Sequence, residues 1–86
     1  MALKHDQTML DGSPITFHKV MDTTVDQITG DGTATLGSWR TYEDFVVQKA
    51  PLMRRKYSFS LQGMDSYTAA YETIKVRPEF QGSVDF

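Results

Sequence analysis

The stretch Met53–Leu61 leaves the chain least freedom. Met53, Arg55, Tyr57, Phe59 and Leu61 alternate with Arg54, Lys56, Ser58 and Ser60, a period of two that sends the two sets to opposite sides of an extended strand. Tyr57, Phe59 and Leu61 then need a dry layer beneath them, while the serines and two of the cations stay wet. The period changes directly afterwards. Within Asp65–Val76, Tyr67, Ala70, Tyr71 and Ile74 recur at helical spacing and form one apolar stripe. Asp65 or Ser66 caps the first turn, Lys75 and Arg77 suit the negative end of the helix dipole, and Pro78 stops the helix. A half-wet strand followed by a one-stripe helix predicts a helix lying on a sheet, the α+β class.

The remaining segments supply further strands. In Ile15–Asp22, Ile15, Phe17 and Lys19 share one face and Thr16, His18 and Val20 the other. Thr23–Thr29 continues in the same style, with the odd spacing of Val25 and Ile28 predicting a bulge or bend. Gly30-Asp31-Gly32 is read as a hairpin turn, and Thr33–Arg40 as the return strand, with Ala34, Leu36 and Ser38 opposite Thr35, Gly37 and Trp39. Thr41–Lys49 reads as a short helical turn capped by Thr41, although Phe45-Val46-Val47 also suits a strand; Pro51 ends it. Asp11-Gly12-Ser13-Pro14 is a turn. The expected architecture is a small antiparallel sheet of about four strands with one C-terminal helix packed on one face. Residues 1–14 form an arm, 15–78 the single domain and 79–86 an extended tail. A chain of 86 residues has room for one thin core. Its expected members are Phe17, Val25, Leu36, Tyr57, Phe59, Leu61, Tyr67, Ala70, Tyr71 and Ile74.

Little in the chain points to catalysis. It has no cysteine, which excludes disulfides and thiolate metal sites. The two histidines have no carboxylate at ligand spacing: Asp22 lies roughly 13 Å along the strand from His18, which is expected on the sheet surface. Asp22, Asp26 and Asp31 do not follow a calcium-loop spacing, and Gly30-Asp31-Gly32 lacks the Gly-Lys-Ser/Thr of a phosphate loop. No enzyme activity, cofactor, metal or small-molecule substrate is expected. Nine cations against eleven carboxylates give a net charge of −2, no basis for a grip on nucleic acid. Arg54-Arg55-Lys56 is the only basic run, and a strand splits it across two faces. No run of 18 apolar residues occurs, so no membrane span is expected, and the first residues lack the apolar stretch of a signal peptide.

The unusual feature is apolar material outside the expected core. Leu3, Met9 and Leu10 precede it, Trp39 and Tyr42 flank the hairpin, and Phe80, Val84 and Phe86 follow it. Exposed large apolar groups mark interfaces, and these eight are the candidate interface residues. The alternative is that arm and tail fold back to complete the core.

Several short motifs carry a resemblance across residues 15–86. Tyr42-Glu43-Asp44, Lys49-Ala50-Pro51-Leu52, Ala70-Tyr71-Glu72 and above all Pro78-Glu79-Phe80-Gln81-Gly82-Ser83-Val84-Asp85 resemble small proteins encoded among the structural genes of tailed bacteriophages and prophages. The resemblance implies a virion component, made in the bacterial host cytoplasm and located in the virion. It implies a place in the tail or baseplate, with a capsid decoration protein as the alternative and a small nucleic-acid-binding regulatory module behind both. The implied partners are other virion structural proteins and copies of the chain itself. Arm and tail would become ordered on docking, with edge-strand addition as one route. Removing residues 79–86 would then leave the helix intact.

Overall fold

A computed structural model describes all 86 residues. It is a small α+β fold with a five-stranded antiparallel sheet and two helices. The strands are β1 (Leu3–Thr8), β2 (Pro14–Val25), β3 (Asp31–Trp39), β4 (Met53–Ser60) and β5 (Val84–Asp85). Helix α1 (Tyr42–Val46) joins β3 to β4, helix α2 (Ser66–Lys75) follows β4, and a 3₁₀ turn spans Pro78–Phe80. The sheet order is β4-β3-β2-β1-β5, so β4 and β5 are the edges.

Helix α2 forms where the period of 3.6 predicts it. The Asp65 carboxylate accepts from the Thr68 amide at 2.9 Å and caps the first turn. Its stripe is rotated from expectation: Ala69, Ala70, Tyr71 and Ile74 are buried, while Tyr67 is exposed. Two alanines let the helix approach the sheet closely, so the larger Tyr67 stays at the margin. Beneath α2 lie Leu3, Val20, Ala34, Leu36, Tyr57 and Phe59. The Met53–Ser60 strand alternates as its sequence requires, with Tyr57 and Phe59 buried and Ser58 and Ser60 exposed.

Tyr71 is more than apolar filling. A register shift between Val20 and Asp22 bulges β2 at Met21. The Val20 N–H donates to the Tyr71 hydroxyl at 2.8 Å, and that hydroxyl donates to the Met1 carbonyl at 2.7 Å. One phenol satisfies the buried Val20 amide beside the bulge and ties the Met1 carbonyl to the same point.

Four expectations need correction. Residues 1–14 are not an arm: β1 lies inside the sheet between β2 and β5, and Ala2 and Leu3 are buried. The tail 79–86 is not free either. Phe80 is wholly buried, and β5 pairs Val84 with Lys4 and Asp85 with Leu3. The sheet therefore has five strands where about four were expected, and the helical turn expected within Thr41–Lys49 stands as a second helix beside the C-terminal one. The hairpin turn lies at Asp26–Gly30, ahead of Gly30-Asp31-Gly32. The Asp26 carboxylate accepts from the Ile28 amide at 2.9 Å, Gly30 takes φ +77°, and Asp31 and Gly32 begin β3. The two terminal strands have one physical cause. The terminal segments supply Leu3 and Phe80, both wholly buried, and burying them fixes both segments on the sheet.

Two substitutions test this. Tyr71→Phe keeps the ring but orphans the Val20 amide, and is expected to cost about 1–3 kcal/mol in urea denaturation; a variant as stable as the parent would show that the hydroxyl is idle. Phe80→Ala is expected to cost about 3–5 kcal/mol, the loss of a core aromatic. Unchanged stability would return the tail to the surface.

Candidate assembly surface

The two faces of the sheet are built differently. On the face under α2, the C-terminal segment seats Phe80 in a pocket of strand side chains. The Phe80 ring meets His18 edge-on at 5.1 Å, with the Arg55 guanidinium over it at 5.0 Å and His5 and Tyr57 at 5.9 and 6.3 Å. Beneath it runs a chain of polar contacts. The His18 Nε2–H donates to the His5 carbonyl at 2.9 Å, which leaves Nδ1 to accept from the Ser38 hydroxyl at 2.7 Å. Arg55 Nη2 donates to Ser38 Oγ at 3.2 Å and to Gln7 Oε1 at 2.9 Å. Gln7 Nε2 then donates to the Glu79 carbonyl at 2.7 Å.

His18 is thus not a sheet-surface residue, as its strand position suggested, but wholly buried. Both ring nitrogens are occupied, so neither is free for a metal or for proton exchange with a substrate. The basic run does split as expected: Arg55 turns inward to this network, while Arg54 and Lys56 are exposed. Tyr57 and Phe59 are buried, which removes the aromatics that a base-stacking sheet would need.

The far face carries the aromatic residues around α1. The Thr41 hydroxyl accepts from the Asp44 amide at 3.2 Å and starts the helix, as predicted. Phe45 packs on Phe17 at 5.1 Å and edge-on to Trp39 at 5.0 Å. The Trp39 indole lies across Gly37, where a Cβ would stand 2.8 Å from the ring. Its Nε1–H donates to the Lys49 carbonyl at 2.8 Å and fastens the α1–β4 loop to the sheet. Phe86 crosses from β5 to stack with Tyr42 at 4.7 Å and Phe17 at 5.5 Å, and Lys4 Nζ sits 4.5 Å from its centroid. The far face is therefore covered at this end, and its open part is the polar strip Thr33, Thr35, Lys56 and Ser58.

The eight candidate interface residues divide accordingly. Leu3, Trp39 and Phe80 are buried in the domain's own core and are not surface groups. Met9 is half-buried. Leu10 is fully exposed on the β1–β2 turn, away from the rest. Tyr42, Val84 and Phe86 are exposed on the far face, and Tyr42 and Phe86 are in contact. Sequence reading missed Val46, Val47 and Leu52, which extend this patch along α1 and its loop and are about half exposed or more. For the two valines the signal was available: Phe45, Val46 and Val47 are consecutive apolar residues at the end of α1, and consecutive residues there cannot all face the sheet.

Comparison of the chain with protein-family models, curated proteins and solved structures found no match.

The histidine network gives a pH prediction. Burial lowers the His18 pKa from 6.5 to about 4; the His5 carbonyl opposes this, and nearby Arg55 adds to it. Between these values the unfolded chain binds a proton that the folded chain does not, so stability rises with pH. The stabilisation is full above about pH 6.5 and is lost as pH falls toward about 4, by up to about 3 kcal/mol. Urea denaturation across this range is expected to show that slope, and NMR to show a His18 imidazole still neutral at pH 5. An imidazole titrating near its ordinary value would contradict the buried network.

Proposed function

We propose that this chain is a structural subunit of a tailed-bacteriophage particle, placed in the tail or baseplate, with capsid decoration as the alternative position. Other virion proteins and further copies of the chain are its partners, and subunit contact is its mechanism. The observation that carries the reading is the surplus of apolar surface on a domain whose own core is complete. Tyr42, Val46, Val47, Leu52, Val84 and Phe86 remain exposed around α1 and β5, and large apolar groups gathered on one side of a domain mark an interface. The Pro78–Asp85 run that carries the resemblance supports it in a specific way. Phe80 anchors this segment under the sheet, and β5 then delivers Val84 and Phe86 to the exposed patch.

The mechanism differs from ordering of free ends. Leu3–Thr8 is already a strand and the tail is already fixed by Phe80 and the β5 pairing, so the surface is formed before any partner arrives and docking needs little rearrangement. Addition of a strand at the β4 edge is restricted by Arg54 and Lys56, which repel a like-charged strand.

The test is the composition of particles. In density-gradient-purified particles from a lysate of the strain carrying the coding sequence, quantitative mass spectrometry is expected to find the chain in fixed ratio to the major tail or capsid protein. Recovery only from the soluble fraction would refute the assignment.

A further inference from the structure

The β2–β3 hairpin ends in a knob. Ile28, at its tip, is 96% exposed although it is among the most apolar residues of the chain. The tip is closed by its own hydrogen bonds: Gly30 N–H to the Asp26 carbonyl at 2.8 Å, Asp26 N–H to the Asp31 carbonyl at 2.9 Å, and the Ile28 amide to the Asp26 carboxylate. Ile28 is therefore held outward by a preorganised loop and has no route back to the core. Its surroundings are of one sign. From Asp22 to Trp39 the chain carries Asp22, Asp26 and Asp31 and no Lys or Arg.

The far face holds a matching recess. An open groove of about 600 Å³ lies between α1, its following loop and the sheet. Trp39, Phe45, Val46, Met21 and Pro51 line it, Lys49 and Arg54 are its only charged residues, and no carboxylate lines it. Arg54 makes no salt bridge, and Lys49 shares Asp44 at 3.5 Å while remaining largely exposed. The groove is thus apolar with a cationic rim, and the knob is apolar with an anionic collar.

Knob and groove do not meet within one chain. Phe17 pairs with Trp39 at one end of the β2–β3 ladder and Val25 with Gly32 at the other, a separation of roughly 23 Å along the strands. Two different surfaces that complement each other make a heterologous contact, which repeats head to tail and closes into a ring when the rotation allows.

We propose that the Ile28 hairpin tip of one copy seats in the α1–β4 groove of the next, with Asp26 and Asp31 facing Lys49 and Arg54. A second copy of this chain is the occupant. This deepens the assembly-subunit reading and rests on it. The complementary charges steer the encounter, and burial of Ile28 against Val46, Phe45 and Pro51 holds it.

Light scattering during size-exclusion chromatography, across protein concentrations, tests this with the full chain. Wild type is expected to associate. Ile28→Glu and Val46→Glu, both at exposed positions, are each expected to weaken association about tenfold or more. Circular dichroism and Trp39 fluorescence verify that each variant is folded. An equimolar mixture of the two variants retains one intact knob and one intact groove, and is expected to form a heterodimer that goes no further. Asp31→Lys and Arg54→Asp are each expected to weaken association, and the two together in one chain to restore it. Association unaffected by Ile28→Glu overturns the proposal while leaving the particle assignment standing. So does a monomer at all concentrations to about 1 mM. Self-association through this contact by a chain absent from particles would instead refute the particle assignment alone.

Discussion

One run of hydrogen bonds, buried at its His18–Ser38 centre and open toward its Glu79 end, joins four strands of the sheet to the C-terminal segment. Arg55 of β4 donates to Ser38 of β3, Ser38 to His18 of β2, and His18 to the backbone of β1, while Arg55 also reaches Gln7 and, through it, the Glu79 carbonyl. Each member is satisfied only when its neighbours are in place, save the Arg55 Nε, which is buried without a partner. Such a network tolerates one register and penalises others, because an orphaned buried polar group costs more than the net worth of the bond it loses. The Phe80 ring packs over its His18 and Arg55 members.

That packing links the two faces. With Phe80 fixed on one side, the few residues that follow wrap the β1 edge as β5 and bring Phe86 against Phe17 and Tyr42 on the other. The strap thus serves the core at one end and the surface at the other. Trp39 acts similarly from β3: its ring covers Gly37 and its indole N–H holds the loop after α1. The short helix is positioned by these two aromatics rather than by its own propensity, since a helix of five residues has little stability of its own. The apolar residues that it leaves exposed are those to which assembly is assigned.

The candidate surface was only half legible. Tyr42, Val84 and Phe86 stood out as apolar residues beyond the obvious stripes, and they are exposed. Leu3, Trp39 and Phe80 stood out by the same criterion and are buried. Nothing local separates the two groups, because whether a terminal apolar residue is core or surface depends on which strand pairs beside it. His18 was misplaced for a related reason. Its alternation in β2 assigns it a face, but not that Phe80, more than sixty residues later, covers that face.

What the sequence determined by itself is local. The alternation of Met53–Ser60, the stripe and Asp65 cap of α2, the Thr41 cap of α1 and the opposed faces of β3 are set by periodicity and by side chains that bond their own backbone, interactions spanning a few residues. Tertiary structure alone decided that Leu3–Thr8 and Val84–Asp85 pair as strands of the sheet, that a bulge at Met21 is held by Tyr71, and that a polar relay runs from Arg55 to His5. These features need partners tens of residues apart. They form because the core takes Leu3 from one end of the described fold and Phe80 from the other, and no local pattern announces either burial.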